Sequence, residues 1–151
     1  MSRSRHVVGT DVHDRVGLML KARSQRYTAL RRQLVDVLGS APDPVTIADL
    51  QRSVKGVALS SLYRNLVILE ECHVVSRIMT NNGSAIFELS EELSEHHHHM
   101  VCATCGTVRD IVVPESIESG LDRQLSKIAR KEGFTFRHHQ LDVIGVCGRC
   151  S

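Results

Sequence analysis

Apolar residues in the first half of the chain recur every three or four positions, which is the spacing of one face of a helix. The pattern predicts four helices, over residues 12–23, 29–38, 47–54 and about 60–71. Thr28 and Thr46 stand where the N-caps of the second and third helices are expected. The first half is therefore predicted to be a helical unit, with residues 1–11 as an arm in front of it.

The pattern changes to short strand-like segments after the fourth helix. Residues 73–79 are rich in β-branched side chains, the Asn-Asn-Gly sequence at 81–83 is a turn signal, and residues 85–89 form a second strand-like run. Helices followed by a β-hairpin are typical of a winged helix, a variant of helix-turn-helix. We therefore predict a winged-helix domain over residues 1–89 and interpret the polar, acidic segment 90–95 as a hinge.

The second half mixes strand-like and helical patterns. Strands are predicted over residues 98–103, 107–113, 134–139 and 140–146, and a helix from Pro114 to about Arg130. These elements make residues 96–151 a small α/β unit. The whole chain is thus predicted to be α+β, with an N-terminal winged helix-turn-helix domain and a C-terminal α/β domain.

Composition is that of a globular protein, since 42% of the 151 residues are apolar and 24% are charged. No apolar run approaches the roughly 18 residues of a membrane span, and residues 1–17 lack the apolar core of a secretion signal. We therefore expect a cytoplasmic protein without a membrane partner. Residues 1–80 hold 12 Lys and Arg against 7 Asp and Glu, whereas residues 81–151 hold 7 against 10. The first half could thus bind a polyanion and the second could collect cations.

Four of the five cysteines form two Cys-x-x-Cys pairs, Cys102 with Cys105 and Cys147 with Cys150. Paired motifs of this kind in a chain without a secretion signal indicate metal ligands rather than disulfides. Four thiolates complete the tetrahedron of Zn²⁺ and leave no position for water. The spacing therefore predicts one structural zinc, with redox-active thiols or an iron–sulfur cluster as the alternatives.

A run of four histidines, from His96 to His99, lies just before the first cysteine pair. Alternate side chains of an extended strand point to opposite faces, so His96 and His98 would share one face and His97 and His99 the other. One short run can then supply two metal sites, each completed by carboxylates from elsewhere. Such ligands suit Fe²⁺, Mn²⁺, Zn²⁺ or Ni²⁺, and the alternative is a solvated, His-rich linker.

The fourth predicted helix begins with small polar residues and carries an aromatic and a basic side chain, in the Ser-Leu-Tyr-Arg-Asn-Leu sequence at 61–66. Arg can form a bidentate contact with guanine or with phosphate, and a Tyr ring can contact a thymine methyl group. Taken alone, the pair Tyr63 and Arg64 is more often an ordinary surface pair of a helix.

Together these motifs resemble the ferric uptake regulator (Fur) family of metal-dependent transcriptional regulators. The 61–66 sequence is similar to the family's recognition-helix motif, and Arg-Tyr-Thr-Ala-Leu-Arg at 26–31 is similar to its earlier basic motif. Phe-Glu-Leu at 87–89, the histidine run and the first cysteine pair resemble the family's hinge and metal segment. Gly-x-Cys-x-x-Cys at 145–150 resembles its C-terminal zinc knuckle. The resemblance spans about residues 12–150, in family order.

The resemblance implies a C-terminal dimerisation domain and a homodimer that represses transcription. Metal binding at the hinge would fix the two DNA-binding heads on a palindromic operator in double-stranded DNA. Tyr63 and Arg64, with Ser61 beside them, would contact the major groove. Arg26 would reach the DNA backbone or minor groove, and Arg31 the phosphates.

The resemblance also implies the ligands of three metal sites. Cys102, Cys105, Cys147 and Cys150 would hold structural zinc. Glu88, His97, His99 and Asp110 would match the regulatory site, and His96, His98, Asp122 and His139 the auxiliary site in the dimerisation domain. The implied cofactors are Zn²⁺ in the structural site and a second divalent ion, Fe²⁺, Mn²⁺ or Zn²⁺, in the regulatory site.

Several positions depart from the family pattern and leave the sensed metal open. Asp43 stands where a helix usually carries a sensing-site His. Ser76 stands where zinc-sensing members usually have Asp, and Ser90 where they usually have Cys. The Phe-Glu-Leu sequence is more similar to iron- or peroxide-sensing members, so these are favoured over the zinc uptake regulator type.

Two ligand choices also stay open. The segment 90–95 is longer than usual, so Glu91 or Glu92 could replace a missing regulatory ligand. The helix after Pro114 is longer as well, which leaves Glu118 as an alternative to Asp122 in the auxiliary site.

Two functions of other classes are weighed against a repressor. A metallohydrolase needs an open metal position and a motif such as His-Glu-x-x-His, and the sequence contains no such motif. We therefore expect neither enzyme activity nor a small-molecule substrate. A zinc-ribbon interaction module that does not bind DNA is the other alternative.

Overall fold

The computed structural model of the protein describes residues 9–151, and residues 1–8, which make up most of the predicted arm, lie outside the described residues. The described chain contains five helices and six strands. The helices are α1 (Thr10–Ala22), α2 (Ala29–Ser40), α3 (Ile47–Ser53), α4 (Leu59–Glu71) and α5 (Glu115–Lys131). The strands are β1 (Val45–Thr46), β2 (Val75–Met79), β3 (Ala85–Leu89), β4 (His98–Cys102), β5 (Val108–Ile111) and β6 (Asp142–Gly145).

The four predicted N-terminal helices are confirmed, with ends that shift by one or two residues. The side chain of Thr28 caps α2 by accepting a hydrogen bond from the backbone N–H of Arg31. Thr46 caps α3 in a reciprocal capping box with Asp49. Each cap contributes about 1 kcal/mol to helix stability, so the caps fix where the helices begin rather than how firmly they are held.

An aliphatic core holds these helices together. The side chains that α1–α4 bury are Val16, Leu20, Leu34, Val35, Leu38, Leu50, Leu62, Leu66 and Leu69. Each contributes roughly 1.5–3 kcal/mol relative to an exposed position, so their sum far exceeds that of the caps. The predicted helical stripes are therefore confirmed as the faces that form the core.

The predicted hairpin is confirmed as a wing, in which β2 and β3 pair antiparallel. A third strand, β1, was not predicted and pairs with β3 through Val45 opposite Phe87 and Thr46 opposite Ile86. Two residues beside a proline are too short to show an alternating pattern. The wing sheet therefore has the order β1-β3-β2.

The wing strand β3 is shared between two cores, because its alternate side chains point to opposite faces. Phe87 and Leu89 are buried in the N-terminal core. Ile86 instead packs with Val101 of β4 and Val108 of β5 in a second buried cluster. The wing strand therefore joins the winged-helix domain to the C-terminal sheet.

The C-terminal unit is a three-stranded sheet with the order β5-β4-β6, in which β4 pairs antiparallel with β5 and parallel with β6. The predicted strand over residues 134–139 is wrong, because this segment is irregular and Phe134 is 74% exposed. In the parallel register, His99 lies opposite Asp142. Residues upstream of β6 therefore run past the beginning of β4 and have no strand to pair with.

The segment 90–95, expected to be a hinge, begins with a compact turn. The backbone N–H groups of Leu93 and Ser94 both donate to the Ser90 carbonyl, and Leu93 is buried in the N-terminal core. The chain thus stays packed against the winged-helix domain through Leu93. The passage to the C-terminal sheet takes place over residues 94–97.

The C-terminal unit exposes many apolar side chains. The amphipathic helix α5 buries none of its residues, and large apolar side chains of α5, β6 and the adjoining segments are exposed, namely Val112, Ile117, Ile128, Phe134, Val143, Ile144 and Val146. Large apolar side chains exposed in this number are typical of a protein–protein interface. No described helix combines the length and apolarity needed to cross a bilayer.

The turn of the wing contacts the segment that follows the first cysteine pair. A Cβ atom placed on Gly106 would lie 2.9 Å from Nδ2 of Asn82. The other end of the Asn82 amide is held within the wing turn, where Oδ1 accepts from the Thr80 hydroxyl and the Ser84 N–H. An alanine at position 106 would therefore displace the Asn82 side chain from these hydrogen bonds.

We predict that Gly106→Ala destabilises the zinc-loaded protein more than Gly133→Ala does. Both glycines have a left-handed backbone, with φ of 71° and 78°, which costs an L-residue about 1–2 kcal/mol. Nothing lies within 4 Å of a Cβ placed on Gly133, so this variant isolates the backbone cost. The measurement is the free energy of urea unfolding.

The extra cost of Gly106→Ala should shrink when Asn82→Ala is introduced, since the steric conflict is then removed. Two results would contradict a steric contact between the wing turn and Gly106. One is equal destabilisation by the two glycine substitutions. The other is the same effect of Gly106→Ala in wild type and in the Asn82→Ala protein.

Candidate metal centres and nucleic-acid interface

The structure brings the four predicted zinc ligands together at one end of the C-terminal sheet. Cys102 ends β4 and lies opposite Gly145 of β6 in the parallel register, so the two strands deliver their cysteine pairs to the same place. All four are free thiols, and their sulfur atoms lie within 4.8 Å of one another. The Sγ atoms of Cys105 and Cys147 are 3.7 Å apart.

This geometry fits a tetrahedral zinc ion. With Zn–S bonds of about 2.3 Å, the edge of a regular tetrahedron of sulfur atoms is about 3.8 Å. Backbone N–H groups at Cys105 and Cys147 lower the pKa of the Cys102 thiol to about 6. The contact of Cys150 with the Cys105 side chain raises the pKa of Cys150 to about 12. The bond to the Thr107 side chain lowers the pKa of Cys105 as well. Thiolates of the first pair are thus favoured while negative charge at Cys150 is opposed, and a divalent cation removes this conflict.

A second cluster joins the wing to the C-terminal sheet. The Oε2 atom of Glu88, on β3, lies 3.1 Å from Nε2 of His97 and 3.3 Å from Nε2 of His99. The Asp110 carboxylate of β5 lies 4.0 Å from Nε2 of His97 and 3.8 Å from Nε2 of His99. All four side chains are largely buried. The four residues predicted for the regulatory site are therefore brought together.

The electrostatics of this second cluster favour a cation. Burial alone would raise the pKa of Glu88, but hydrogen bonds from His97 and His99 outweigh it and lower the pKa. The same bond to Glu88 raises the pKa of His97 to about 9, against the effect of burial. The bond to Glu88 also raises the pKa of His99. Two imidazoles and two carboxylates facing one point offer the donors that a divalent ion takes in place of the protons.

A third cluster lies on the opposite face of β4. It consists of His96, His98, His139 and Glu118. Oε1 of Glu118 lies 2.6 Å from Nε2 of His98, and its Oε2 atom lies 3.3 Å from Nε2 of His139 and 3.6 Å from Nε2 of His96. Three imidazoles around one carboxylate fit a divalent ion of the same class as the second cluster.

Asp122 stands outside the third cluster. Its carboxylate lies 2.9 Å from Nδ1 of His139, so it orients the ring whose Nε2 atom faces Glu118. Glu91 lies in the same way 3.3 Å from Nδ1 of His96. Carboxylates at the outer nitrogen of a ligating histidine fix its tautomer and orientation. The structure therefore groups Glu118, rather than Asp122, with the three histidines, and Asp122 lies behind His139.

The surface of α4 presents two of the predicted DNA contacts. Tyr63 is 46% exposed and Arg64 is exposed next to it, with Ser61 half-buried in the first turn of the helix. Arg26 is exposed in the segment between α1 and α2. Arg31 differs from the expectation of a phosphate contact, since only 7% of it is exposed. Its guanidinium group is engaged inside the domain.

The sequence model of the ferric uptake regulator family matches residues 22–144 of the chain. The chain belongs to the ferric uptake regulator family. Fur-family proteins are metal-responsive transcriptional repressors that bind DNA as dimers and contain structural zinc and a regulatory metal, and the chain is a repressor of this kind.

Several relatives of this Fur-family regulator are known. The ferric uptake regulation protein of Bacillus subtilis is 31% identical over 145 residues, covering 91% of this chain and 93% of that protein. The peroxide operon regulator of the same organism is 27% identical over 136 residues, covering 87% and 88%. The match to the ferric uptake regulation protein of Bordetella parapertussis, at 31% identity, covers 62% of this chain and 63% of that protein.

The fold of this Fur-family chain is also that of a solved relative. The ferric uptake regulator of Helicobacter pylori superposes with a TM-score of 0.74 and 20% sequence identity, covering 96% of both chains. The α+β architecture expected from the sequence, with a winged helix and a C-terminal unit containing a four-cysteine cluster, is thereby confirmed.

Three acidic residues beside the clusters had no predicted role as neighbours of the ligands. Asp142 of β6 lies 3.2 Å from Nδ1 of His99, and Glu91 contacts His96. The Asp43 carboxylate, which stands at the usual position of a sensing-site His, accepts from Arg109 Nη1 at 2.6 Å and from the Asp110 N–H at 3.2 Å. Glu91, which the sequence offered as a substitute ligand of the regulatory site, lies instead beside His96 of the third cluster.

We predict that Cys105→Ser removes the zinc and unfolds or dissociates the C-terminal unit of this Fur-family regulator. The reason is that metal binding to four thiolates is also folding free energy, and a serine hydroxyl is a poor ligand. Zinc content, circular dichroism and oligomeric state are the measurements. Cys72→Ala is the matched control, because Cys72 is a buried thiol of the N-terminal core and should leave zinc and dimer intact. A zinc-free, fully dimeric Cys105→Ser protein would contradict the assignment.

Proposed function

We propose that Glu88, His97, His99 and Asp110 form the regulatory site of this repressor, and that occupancy by a divalent ion strengthens operator binding. The observation that carries the proposal is the location of these ligands. Glu88 belongs to the wing strand, whereas His99 and Asp110 face each other across β4 and β5 of the C-terminal sheet. The ion would supply a positive charge shared by both domains.

A site whose ligands come from both domains supports a regulatory role, because the ligand set depends on how the two domains are arranged. A ligand shifts a conformational equilibrium only by its difference in affinity for the two states. Glu88 can complete the ligand set only while the wing lies against β4 and β5. A coupling of roughly 1–3 kcal/mol would correspond to a 5–150-fold change in DNA affinity.

The third cluster has a different expected role. His98 and His96 come from β4 or the residue run before it, Glu118 from α5, and His139 from the segment before β6. All belong to the C-terminal unit, so an ion bound there would stabilise that unit without directly joining the wing. We assign it as the auxiliary site, with Glu118 as ligand and Asp122 orienting His139.

The donor set of the regulatory site favours Fe²⁺ or Mn²⁺ as the sensed ion. Two imidazoles and two carboxylates provide no thiolate, and thiolates are the ligands that select zinc most strongly. Ser90 stands where zinc-sensing members usually have Cys, so this position offers no thiolate. The second candidate is a zinc uptake regulator, because His and carboxylate ligands also accept Zn²⁺.

Operator binding is assigned to the winged-helix domain. We propose residues 1–89 as the DNA-binding domain, residues 90–95 as the joint and residues 96–151 as the dimerisation and metal-binding domain. Tyr63, Arg64 and Ser61 would face the major groove and Arg26 the backbone or minor groove. The exposed apolar side chains of α5 and β6 would be covered by the second copy of a homodimer. The protein would then act in the cytoplasm as a regulator and not as an enzyme.

The experiment that tests this function begins with operator selection. Zinc-loaded protein is offered a random library of DNA duplexes with no added metal or with Fe²⁺, Mn²⁺, Ni²⁺ or extra Zn²⁺. We expect a palindromic sequence to be enriched with one of the added ions and not without it. Enrichment only with extra Zn²⁺ would establish the zinc uptake type. A protein that selects no sequence under any condition would instead be an interaction module that does not bind DNA.

We predict that the two faces of the histidine run behave differently. His97→Ala and His99→Ala should abolish metal-stimulated operator binding while leaving the cysteine zinc and the dimer in place, because only these side chains meet Glu88. His96→Ala should weaken the dimer or reduce activation only in part. Operator affinity is measured against free metal, with zinc content and oligomeric state alongside. Identical behaviour of the three variants would mean that the run is a nonspecific histidine patch.

We predict further that Arg64→Ala weakens binding to the selected operator by about 1–3 kcal/mol, as expected for the loss of a bidentate contact to a base. Binding to a shuffled duplex should change much less. Arg26→Ala is the comparison, because a backbone contact should lower the affinity for both duplexes and flatten the salt dependence. Wild-type operator affinity of a folded Arg64→Ala protein would count decisively against base reading.

A further inference from the structure

Arg31 of α2 is a buried cation between the recognition helix and the segment that precedes α2. Its Nε atom donates to Oδ1 of Asn65 at 3.0 Å. Nη1 donates to the backbone carbonyl of Arg26, and Nη2 reaches Oε1 of Gln25 at 3.5 Å. No carboxylate pairs with this guanidinium group within the described range of residues 9–151. The N–H donors of this guanidinium fork are thus occupied by neutral acceptors of the protein itself.

Asn65 in turn hydrogen-bonds to the first turn of the recognition helix α4. Its Nδ2 atom donates to the carbonyl of Ser61 at 2.8 Å, while its Oδ1 atom accepts from Arg31. Asn65 directly follows Arg64 in the chain, and Ser61 lies one turn earlier. The guanidinium group is therefore connected to the part of α4 that carries the proposed base contacts.

We infer that Arg31 is a positioning residue that sets the distance between Arg26 and the recognition helix, and that it thereby determines sequence specificity. The inference rests on the proposed DNA interface, in which Arg26 and Arg64 contact different parts of the duplex. One end of the Arg31 fork holds the backbone of Arg26, and the other holds Asn65 of α4. Both proposed contacts are thus fixed to one rigid planar group.

The chemistry of the fork explains why arginine is needed. A guanidinium group is planar and presents donors in several fixed directions, whereas a lysine ammonium is a compact charge on a flexible stem. Lysine at this position would keep the positive charge near the DNA but could not hold three separated acceptors in one geometry. Loss of the bridge leaves Asn65 Oδ1 without its donor from Arg31, while the Arg26 carbonyl keeps only the Thr28 N–H at 3.2 Å.

This role predicts an outcome that a direct phosphate contact would not give. A phosphate contact contributes to every duplex alike, and removing it lowers the slope of log affinity against log salt by about 0.9. A positioning residue acts on the register of the base contacts. Its loss therefore lowers affinity for the selected operator while the salt slope and the affinity for other sequences stay the same.

The test compares Arg31→Lys, Arg31→Gln, Asn65→Ala and Arg26→Ala with wild type, all loaded with zinc and with the ion that supports operator selection. Arg31→Gln removes the positive charge that Arg31→Lys keeps. The two probes are the selected operator and a shuffled duplex of the same composition, each titrated at several salt concentrations. We expect Arg31→Lys and Asn65→Ala to lose about tenfold in the ratio of operator to shuffled-duplex affinity, with the wild-type salt slope. Arg26→Ala should weaken both duplexes and reduce the slope.

A double variant, Arg31→Lys with Asn65→Ala, should lose less specificity than the sum of the two single variants, because both remove the Arg31–Asn65 hydrogen bond. Thermal melting establishes that each variant is folded. If Arg31→Lys does not fold, Asn65→Ala decides, since it removes the acceptor while leaving the buried guanidinium in place.

The inference is overturned if the folded Arg31→Lys and Asn65→Ala proteins keep the wild-type affinity ratio. It is also overturned if Arg31→Gln weakens both duplexes equally and flattens the salt slope, since Arg31 would then be a phosphate contact. These outcomes differ from failure of the proposed function itself, in which wild-type protein selects no sequence at all.

Discussion

Glu88 and Asp110 are carboxylates with only 14% and 10% of their side chains exposed. Burying two negative charges beside each other is unfavourable unless positive charge compensates them. His97 and His99 provide that charge by hydrogen-bonding to Glu88, which is why the pKa of His97 rises to about 9. A divalent ion can replace the shared protons. Because Glu88 belongs to the wing, the positive charge that its carboxylate requires connects the position of the wing to metal binding.

Contacts other than those of the metal ligands also hold the wing against the C-terminal sheet. Ile86 packs with Val101 and Val108, Asn82 lies against Gly106, and Asp43 is paired with Arg109. The Arg109 side chain of the last contact is exposed, so this ion pair contributes at most about 1 kcal/mol. The apolar packing holds the two domains together more strongly. An ion at the second cluster would therefore add to an arrangement that the protein already favours, and a modest coupling energy is sufficient for regulation.

The parts of this structure that could be predicted from the sequence are those with a strong local signal. The Cys-x-x-Cys pairs indicated one shared centre, and the strand alternation of His96–His99 indicated two opposite faces. Glu118 and Asp122 could not be distinguished in this way, because residues four apart lie on the same face of α5. Which of them reaches β4 depends on how the helix is placed, and that is a tertiary property.

The errors have a similar origin. Residues 134–139 have the alternation of a strand, but a strand needs a partner, and β4 begins too late to provide one. The two residues of β1 show no alternation at all and become a strand because β3 offers an edge. Arg31 was expected to reach phosphates, but it is buried and donates to Asn65, which lies 34 residues later in the chain. In each case the deciding neighbour is distant in sequence.

The cysteine cluster has a consequence for both histidine sites, because it fixes the register of β4. Cys102 and Gly145 are opposite each other, and Cys147 follows two residues after Gly145, so a metal shared by the two cysteine pairs holds β4 and β6 in one alignment. A slip of one residue would turn every side chain of a strand to its other face. In β4 such a slip would exchange His97 and His99 for His96 and His98 beside Glu88. The two histidine sites can therefore stay distinct on a single short strand only if that strand cannot slide, and the ligands at its C-terminal end provide this restraint.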